Sequence, residues 1–166
     1  MKCDLKKMYF LDFKMRILLQ RAKNAVVIVD GEKKCEVPIG FVCFVGFRKD
    51  DKDDGLNWAI RKLLSLFLWE ADDGTPWKKA IADVDGGIIF VHDPCLNATV
   101  DTQNQPSFEN VMPEEQSKQW YDKLVQKVCS QYKADHVFAQ PFGQKMKVDF
   151  INDGPLTINI DSFNRK

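Results

Sequence analysis

Near the C-terminal end, the stretch Ile151-Asn152-Asp153-Gly154-Pro155-Leu156-Thr157 joins two segments of alternating character. Before it, Val148 and Phe150 alternate with Lys147 and Asp149; after it, Ile158 and Ile160 alternate with Thr157, Asn159 and Asp161. A period of two on both sides predicts two strands, each with one buried and one wetter face. Gly-Pro between them is a turn signal with a physical basis. Glycine adopts backbone angles closed to other residues, and proline fixes its own φ and lacks an amide hydrogen. An X–Pro bond is also the one common place for a cis peptide, since trans is favoured there by only ~0.5–1 kcal/mol. Taken alone, the segment reads as a hairpin turn.

The rest of the chain sets the frame. With 166 residues it is long enough to bury a substantial core as one domain. Lys plus Arg and Asp plus Glu both number 24, so no overall field draws the protein to a polyanion, although a local patch can still serve. The cysteines (Cys3, Cys35, Cys43, Cys95 and Cys129) are odd in number and never spaced as a CxxC pair. This fits a reducing, cytoplasmic setting rather than a disulfide framework. His92 and His136 are the only histidines, and neither belongs to a cluster with metal-ligand spacing, so no metal and no cofactor are expected. No apolar run is long enough to span a bilayer, and no secretory signal is evident.

In chain order, residues 1–14 have mixed character and are expected to form an N-terminal extension to a domain over 15–166. Met15–Arg21 and Ala25–Val29 read as strands. Asp30-Gly31 is a type I′ hairpin signal. Phe41–Phe47 is almost continuously apolar, as in a strand buried on both faces. A helix is expected over Leu56, Ile60, Leu63, Leu64 and Phe67, with Asp53 and Asp54 at its positive end. Gly87–Val91 is a short apolar strand that ends in His92-Asp93-Pro94-Cys95. A second helix is predicted to start near Pro113, with Trp120, Leu124, Val128 and Tyr132 as its apolar stripe. Val137–Ala139 is a further short strand. The whole predicts a single α+β domain: a β-sheet or barrel with two main helices packed on it.

From Met15 to Ser162 the chain resembles the D-aminoacyl-tRNA deacylases, small homodimeric editing enzymes. The likeness rests on Met15-Arg16-Ile17 with Gln20-Arg21, on Val29-Asp30-Gly31-Glu32 and on Pro106-Ser107-Phe108. It continues in Phe142-Gly143 with Met146-Lys147-Val148, and above all in Asn152-Asp153-Gly154-Pro155-Leu156-Thr157. The resemblance implies an aminoacyl-tRNA substrate and a cis Gly154–Pro155 inserted into the partner subunit's active site. There the motif's carbonyls exclude L-amino acids while D-amino acids, and also glycine, enter. It implies that Arg21 fixes this motif, with Asn152 and Thr157 beside it, and that Phe142 and Met146 line the adenosine or aminoacyl pocket. Chemistry would then rest on positioning the ester, on the 2′-hydroxyl of the terminal adenosine and on main-chain amides that stabilise the oxyanion.

One departure touches that chemistry. The family's Ser-Gln-x-Thr is replaced here by His92-Asp93-Pro94-Cys95. His92 and Pro94 take positions that would face substrate, and Asp93 and Cys95 take positions tied to catalysis. Pro94 removes an amide hydrogen, and Asp93 adds negative charge where negative charge would develop. His92 and Cys95 have the chemistry of an imidazole-activated thiolate, but residues three apart at a strand end tend to project to opposite faces, and a rearranged structural turn is the alternative. The loop before Pro106 carries Thr102-Gln103-Asn104-Gln105 instead of cations, which predicts weaker, less salt-sensitive tRNA binding. Three functions stay open: an editing hydrolase for D-aminoacyl- or glycyl-tRNA, a deacylase of another mischarged tRNA, and a catalytically silent dimer that binds nucleic acid or protein.

Overall fold

The computed structural model describes residues 15–162; the expected extension over 1–14 lies outside them. Among the described residues, five strands form a mixed sheet. They are β1 (Arg16–Val29), β2 (Glu32–Gly46), β3 (Gly87–His92), β6 (Val137–Ala139) and β7 (Met146–Asp161), in the spatial order β6-β3-β2-β1-β7. β4 (Thr99–Val100) and β5 (Pro106–Ser107) make a small separate ribbon. The helices are α1 (Asp53–Ser65) and α2 (Glu114–Gln131). The α+β expectation holds, and the sheet is not a closed barrel.

The Asp30-Gly31 signal acts as read. Both residues take positive φ, and the strands they join pair from Val29 opposite Glu32 to Arg16 opposite Gly46. The two expected N-terminal strands are one long strand, because β1 absorbs register shifts against β7 instead of breaking. β3 runs parallel to both β2 and β6, which accounts for its uninterrupted burial. At the β2–β3 contact the two backbones touch at Gly40 and Gly87, leaving no room for a side chain on Gly40.

Alternation in β2 and β3 sorts their side chains into two clusters. Phe41, Cys43, Val45, Ile88 and Phe90 face the helices, where Leu56, Ile60, Leu63, Leu124 and Val128 cover them. Val42, Ile89 and Val91 face the other way and meet Ala22, Val27, Val29 and Val37 of the distal half of the β1–β2 hairpin. Tyr121 ties the layers together: its buried hydroxyl donates to the Phe90 carbonyl at 2.8 Å and accepts from the Gln140 amide at 3.0 Å. Two helical expectations need correction. α1 ends at Ser65, so Phe67 lies beyond it and is exposed. The buried stripe of α2 is Ser117, Tyr121, Leu124 and Val128, while Trp120 is only half-buried.

The hairpin reading of Gly154–Pro155 is also corrected. The chain does not reverse there: β7 continues along the same partner, with Asn152 opposite Ala22 and Thr157 opposite Gln20. Residues 153–156 therefore face only Arg21 and loop out as an enlarged bulge.

Candidate active site

The bulge is held from three sides. The Arg21 guanidinium donates from Nε to the Asp153 carbonyl at 2.9 Å and lies 3.2 Å from the Asp153 carboxylate. Its Nη1 donates to the Leu68 carbonyl. Lys23 adds a second cation 2.9 Å from Asp153. Inside the bulge, the Leu156 amide donates to Asn152 Oδ1 at 2.8 Å, and Asn152 Nδ2 donates to Thr157 Oγ1 at 3.1 Å. Gln20 Nε2 reaches the same Thr157 hydroxyl. Leu156 is buried beneath, whereas Gly154 and Pro155 are exposed at the crest, joined by a cis peptide. They border a cleft of about 290 Å³ with Arg21, Leu68, Trp69, Trp77 and Leu156.

A second cleft, of about 370 Å³, opens at the C-terminal end of β3. His92, Pro94, Val111, Met112, Ser117 and Phe142 line it, with Glu114, Gly143 and Gln144 at its rim. The His92 ring stacks on Phe142 with centroids 4.1 Å apart, and its Nε2 is 2.9 Å from the Ser117 hydroxyl. Burial penalises the imidazolium and lowers the pKa of His92, outweighing the Asp93 and Glu114 carboxylates that pull it upward.

The segment 93–97 folds into a single 3₁₀ turn, Pro94–Asn97, capped by Asp93. The Asp93 amide donates to the Val45 carbonyl at 2.9 Å, the Cys95 amide to Asp93 Oδ1 at 2.9 Å, and the Leu96 amide to the Asp93 carbonyl at 3.4 Å. Pro94 has no amide hydrogen. Every donor from Asp93 to Leu96 is thus engaged within the turn or with β2. Asp93, expected at the reacting centre, instead caps the turn. Cys95, expected beside it, is exposed, and its thiol pKa is raised by burial and by the Asp93 charge, the opposite of an activated nucleophile.

Of the residues expected at the site, His92, Pro94 and Phe142 come together in the second cleft, and Arg21, Asn152, Gly154, Pro155 and Thr157 come together at the bulge. Met146 joins neither, because it packs against the β1–β2 cluster beside Val29. Within one chain the two groups stay apart. The bulge is aligned with the row Arg21–Phe41–Ile88, three strands from β3 and four residues short of His92. At ~4.8 Å per strand and ~3.3 Å per residue the separation is roughly 20 Å. Ser117 and Trp77 were not anticipated. The signal for Ser117 was a polar residue four positions before Tyr121 on the buried face of a helix.

Comparison with known proteins accords with this architecture. Residues 18–161 match the family model described as D-Tyr-tRNA(Tyr) deacylase. A D-aminoacyl-tRNA deacylase of Dictyostelium discoideum is 36% identical over 149 residues, spanning 89% of this chain and 98% of the relative. One from Plasmodium falciparum is 32% identical over 158 residues, spanning 89% and 96%. Among solved structures, the c-Myc DNA unwinding element binding protein superposes with a TM-score of 0.83 at 29% identity, over 87% of this chain and 97% of that one. The chain belongs to the D-aminoacyl-tRNA deacylase family.

Proposed function

We propose that the chain is a proofreading hydrolase that cleaves the ester joining a D-amino acid, or glycine, to the 3′ end of tRNA. The observation that carries this reading is the Arg21–Asp153 clamp, which presents Gly154 and Pro155 at an exposed crest roughly 20 Å from the cleft of the same chain. A crest so far from its own cleft has a use if it enters the cleft of a second copy. The active form is then a homodimer in which each Gly154–Pro155 bulge closes the partner's site and excludes L-residues. His92, Pro94 and Phe142 form the wall that receives the aminoacyl end. Arg21, Asn152 and Thr157 position the bulge, and neither Asp93 nor Cys95 takes part in the chemistry. The substrate belongs to translation, so the site of action is the cytoplasm.

The test is single-turnover deacylation of D-aminoacyl-, glycyl- and L-aminoacyl-tRNA on one tRNA body, beside the molar mass in solution by light scattering. Release of the D and glycyl esters by a dimer, with the L ester spared, is the expected result. Release of an L-amino acid instead identifies a deacylase of a different mischarged tRNA. A second reading is supported by the engaged amides of the 3₁₀ turn: with no oxyanion donor free between Asp93 and Leu96, the dimer binds aminoacyl-tRNA without cleaving it. No release at enzyme excess and low salt, with binding retained, favours that reading.

A further inference from the structure

Beyond the cleft, α2 carries a second stripe beside its buried one. Trp120, Lys123, Lys127 and Gln131 follow one another at helical spacing, starting one turn after Ser117. α1 lies alongside: Lys123 pairs with Asp53 at the start of α1, and Gln131 borders a groove of about 520 Å³ with Trp58, Arg61 and Lys62. Both tryptophans are half-buried, and each has a lysine over its ring, Lys62 at 5.9 Å from the Trp58 centroid and Lys123 at 5.6 Å from that of Trp120. Such contacts keep the two ammonium groups at the groove instead of free in solvent. On the sheet the cations are neutralised: Arg16 by Asp161, Arg21 and Lys23 by Asp153, Lys33 by Glu36 and Lys34 by Glu32. Among the described residues, Arg61, Lys62 and Lys127 have no carboxylate in ion-pair reach, and no acidic side chain lines the groove.

We propose that the α1–α2 groove holds the RNA backbone of aminoacyl-tRNA where it leads away from the ester. This rests on the reading of the cleft at the end of β3 as the seat of the aminoacyl end. A chain of zero net charge meets a polyanion through a local patch, and the loop over residues 102–105 supplies no cation for one. Unpaired cations beside aromatic faces are the chemistry that tracks a nucleic-acid backbone. The groove is also continuous with the cleft. Glu114 and Ser117 line the cleft, and Trp120 stands one turn further on, against Phe47, whose ring lies beside that of His92. At ~1.5 Å per residue, Gln131 is roughly 21 Å along α2 from Ser117. A strand whose terminal adenosine lies in the cleft passes Trp120 and Lys123 first, then sets its phosphates against Arg61, Lys62 and Lys127. Phosphate contacts carry no sequence information, so the groove raises affinity for tRNA bodies in general and leaves the choice of amino acid to the cleft and the crest.

The test measures binding of uncharged tRNA to the full-length protein across a series of salt concentrations. One variant combines Arg61→Gln, Lys62→Gln and Lys127→Gln, changes that keep good helix formers in place. A control combines Lys33→Gln, Lys34→Gln and Lys147→Gln, which removes the same charge at the turn end of the β1–β2 hairpin. Circular dichroism confirms that both fold. The groove variant should bind tRNA about tenfold more weakly, with the slope of log affinity against log salt smaller by about 2, as ~0.7–0.9 per lost phosphate contact requires. The control should bind as wild type does. Groove-variant affinity and slope equal to wild type overturn the proposal, as does an equal loss in the control. A change in molar mass by light scattering without a change in tRNA affinity assigns the face to a second copy of the chain and also overturns it. Single-turnover deacylation separates this inference from the functional reading. For the groove variant, the protein concentration giving half the maximal rate should rise about tenfold, more than the maximal rate falls. Weakened tRNA binding with no ester released by wild-type protein supports the groove and overturns the hydrolase; release of D-aminoacyl esters with tRNA binding unaltered in the groove variant does the reverse.

Discussion

Gly154→Ala perturbs the bulge at its crest. Gly154 has φ of +143°, a conformation that L side chains rarely adopt. A methyl there would also stand 3.0 Å from the Leu156 amide nitrogen and 3.3 Å from the Leu156 Cβ. Neither neighbour yields easily: that amide is bonded to Asn152 Oδ1 at 2.8 Å, and Leu156 is buried. On the other side the Arg21 guanidinium lies 3.5 Å away and is itself anchored on Asp153 and Leu68. Backbone strain of this kind costs about 1–3 kcal/mol. For a domain of this size each kcal/mol lowers Tm by about 2–4 °C, so a fall of roughly 2–12 °C is expected, with the fold retained. If the strain is relieved by moving the crest about 1 Å, misplacement of that size costs on the order of 100-fold in rate. Tm by calorimetry and single-turnover release from D-aminoacyl-, glycyl- and L-aminoacyl-tRNA measure the two effects. A variant with unchanged Tm and wild-type rates on all three esters refutes both the strain argument and the placement of the crest in the partner's site.

Other perturbations have equally definite outcomes. Arg21→Lys keeps the charge but loses the fork that reaches Asp153 and the Leu68 carbonyl together, so deacylation should fall about tenfold with Tm lowered by a few degrees, measured by the same two assays. Tyr121→Phe removes the hydroxyl that bridges the Phe90 carbonyl and the Gln140 amide, which keep their own bond to each other, and should destabilise the fold by about 0.5–1.5 kcal/mol in urea unfolding, the midpoint shifting with no change in slope. Asp51 accepts the Met15 and Arg48 amides, yet burial outweighs those bonds and pushes its pKa up to about 7. The folded protein then holds a proton that the unfolded chain releases near pH ~4. The stability Asp51 contributes is full below that pH and is lost as pH rises through about 7. Asp51→Asn should flatten the dependence of Tm on pH between 5 and 8, and an unchanged slope refutes the assignment.

Much of the fold was legible because its signals are local. Asp30-Gly31 demands positive φ, and the apolar runs of β2 and β3 require burial on both faces. The family likeness was also legible, carried by short motifs whose order and spacing survive along the chain. The path of β7 was not. Period-two patterning on both sides of Gly154–Pro155 predicts strands, but it does not say whether the second strand folds back or continues along β1. The pairing of Thr157 with Gln20 decides that, and it depends on a strand more than a hundred residues away. The same holds for Met146, whose place in the family motif suggested a pocket while its register opposite Val29 turns it into the β1–β2 cluster.

The altered segment shows the division most clearly. From the sequence alone came the loss of Ser-Gln-x-Thr, the missing amide of Pro94 and the four residue types available at 92–95. Only the tertiary structure decided what each one does. Asp93 turns back to cap the following turn, so its charge is used locally, and Cys95 points out of the cleft. His92 meets Ser117, a residue 25 positions later that reads in sequence as one more polar position on a helix. Local patterns record the preferences of neighbours along the chain, whereas the pairing of His92 with Ser117 exists because α2 packs across the end of β3 and brings the two side chains to one cleft.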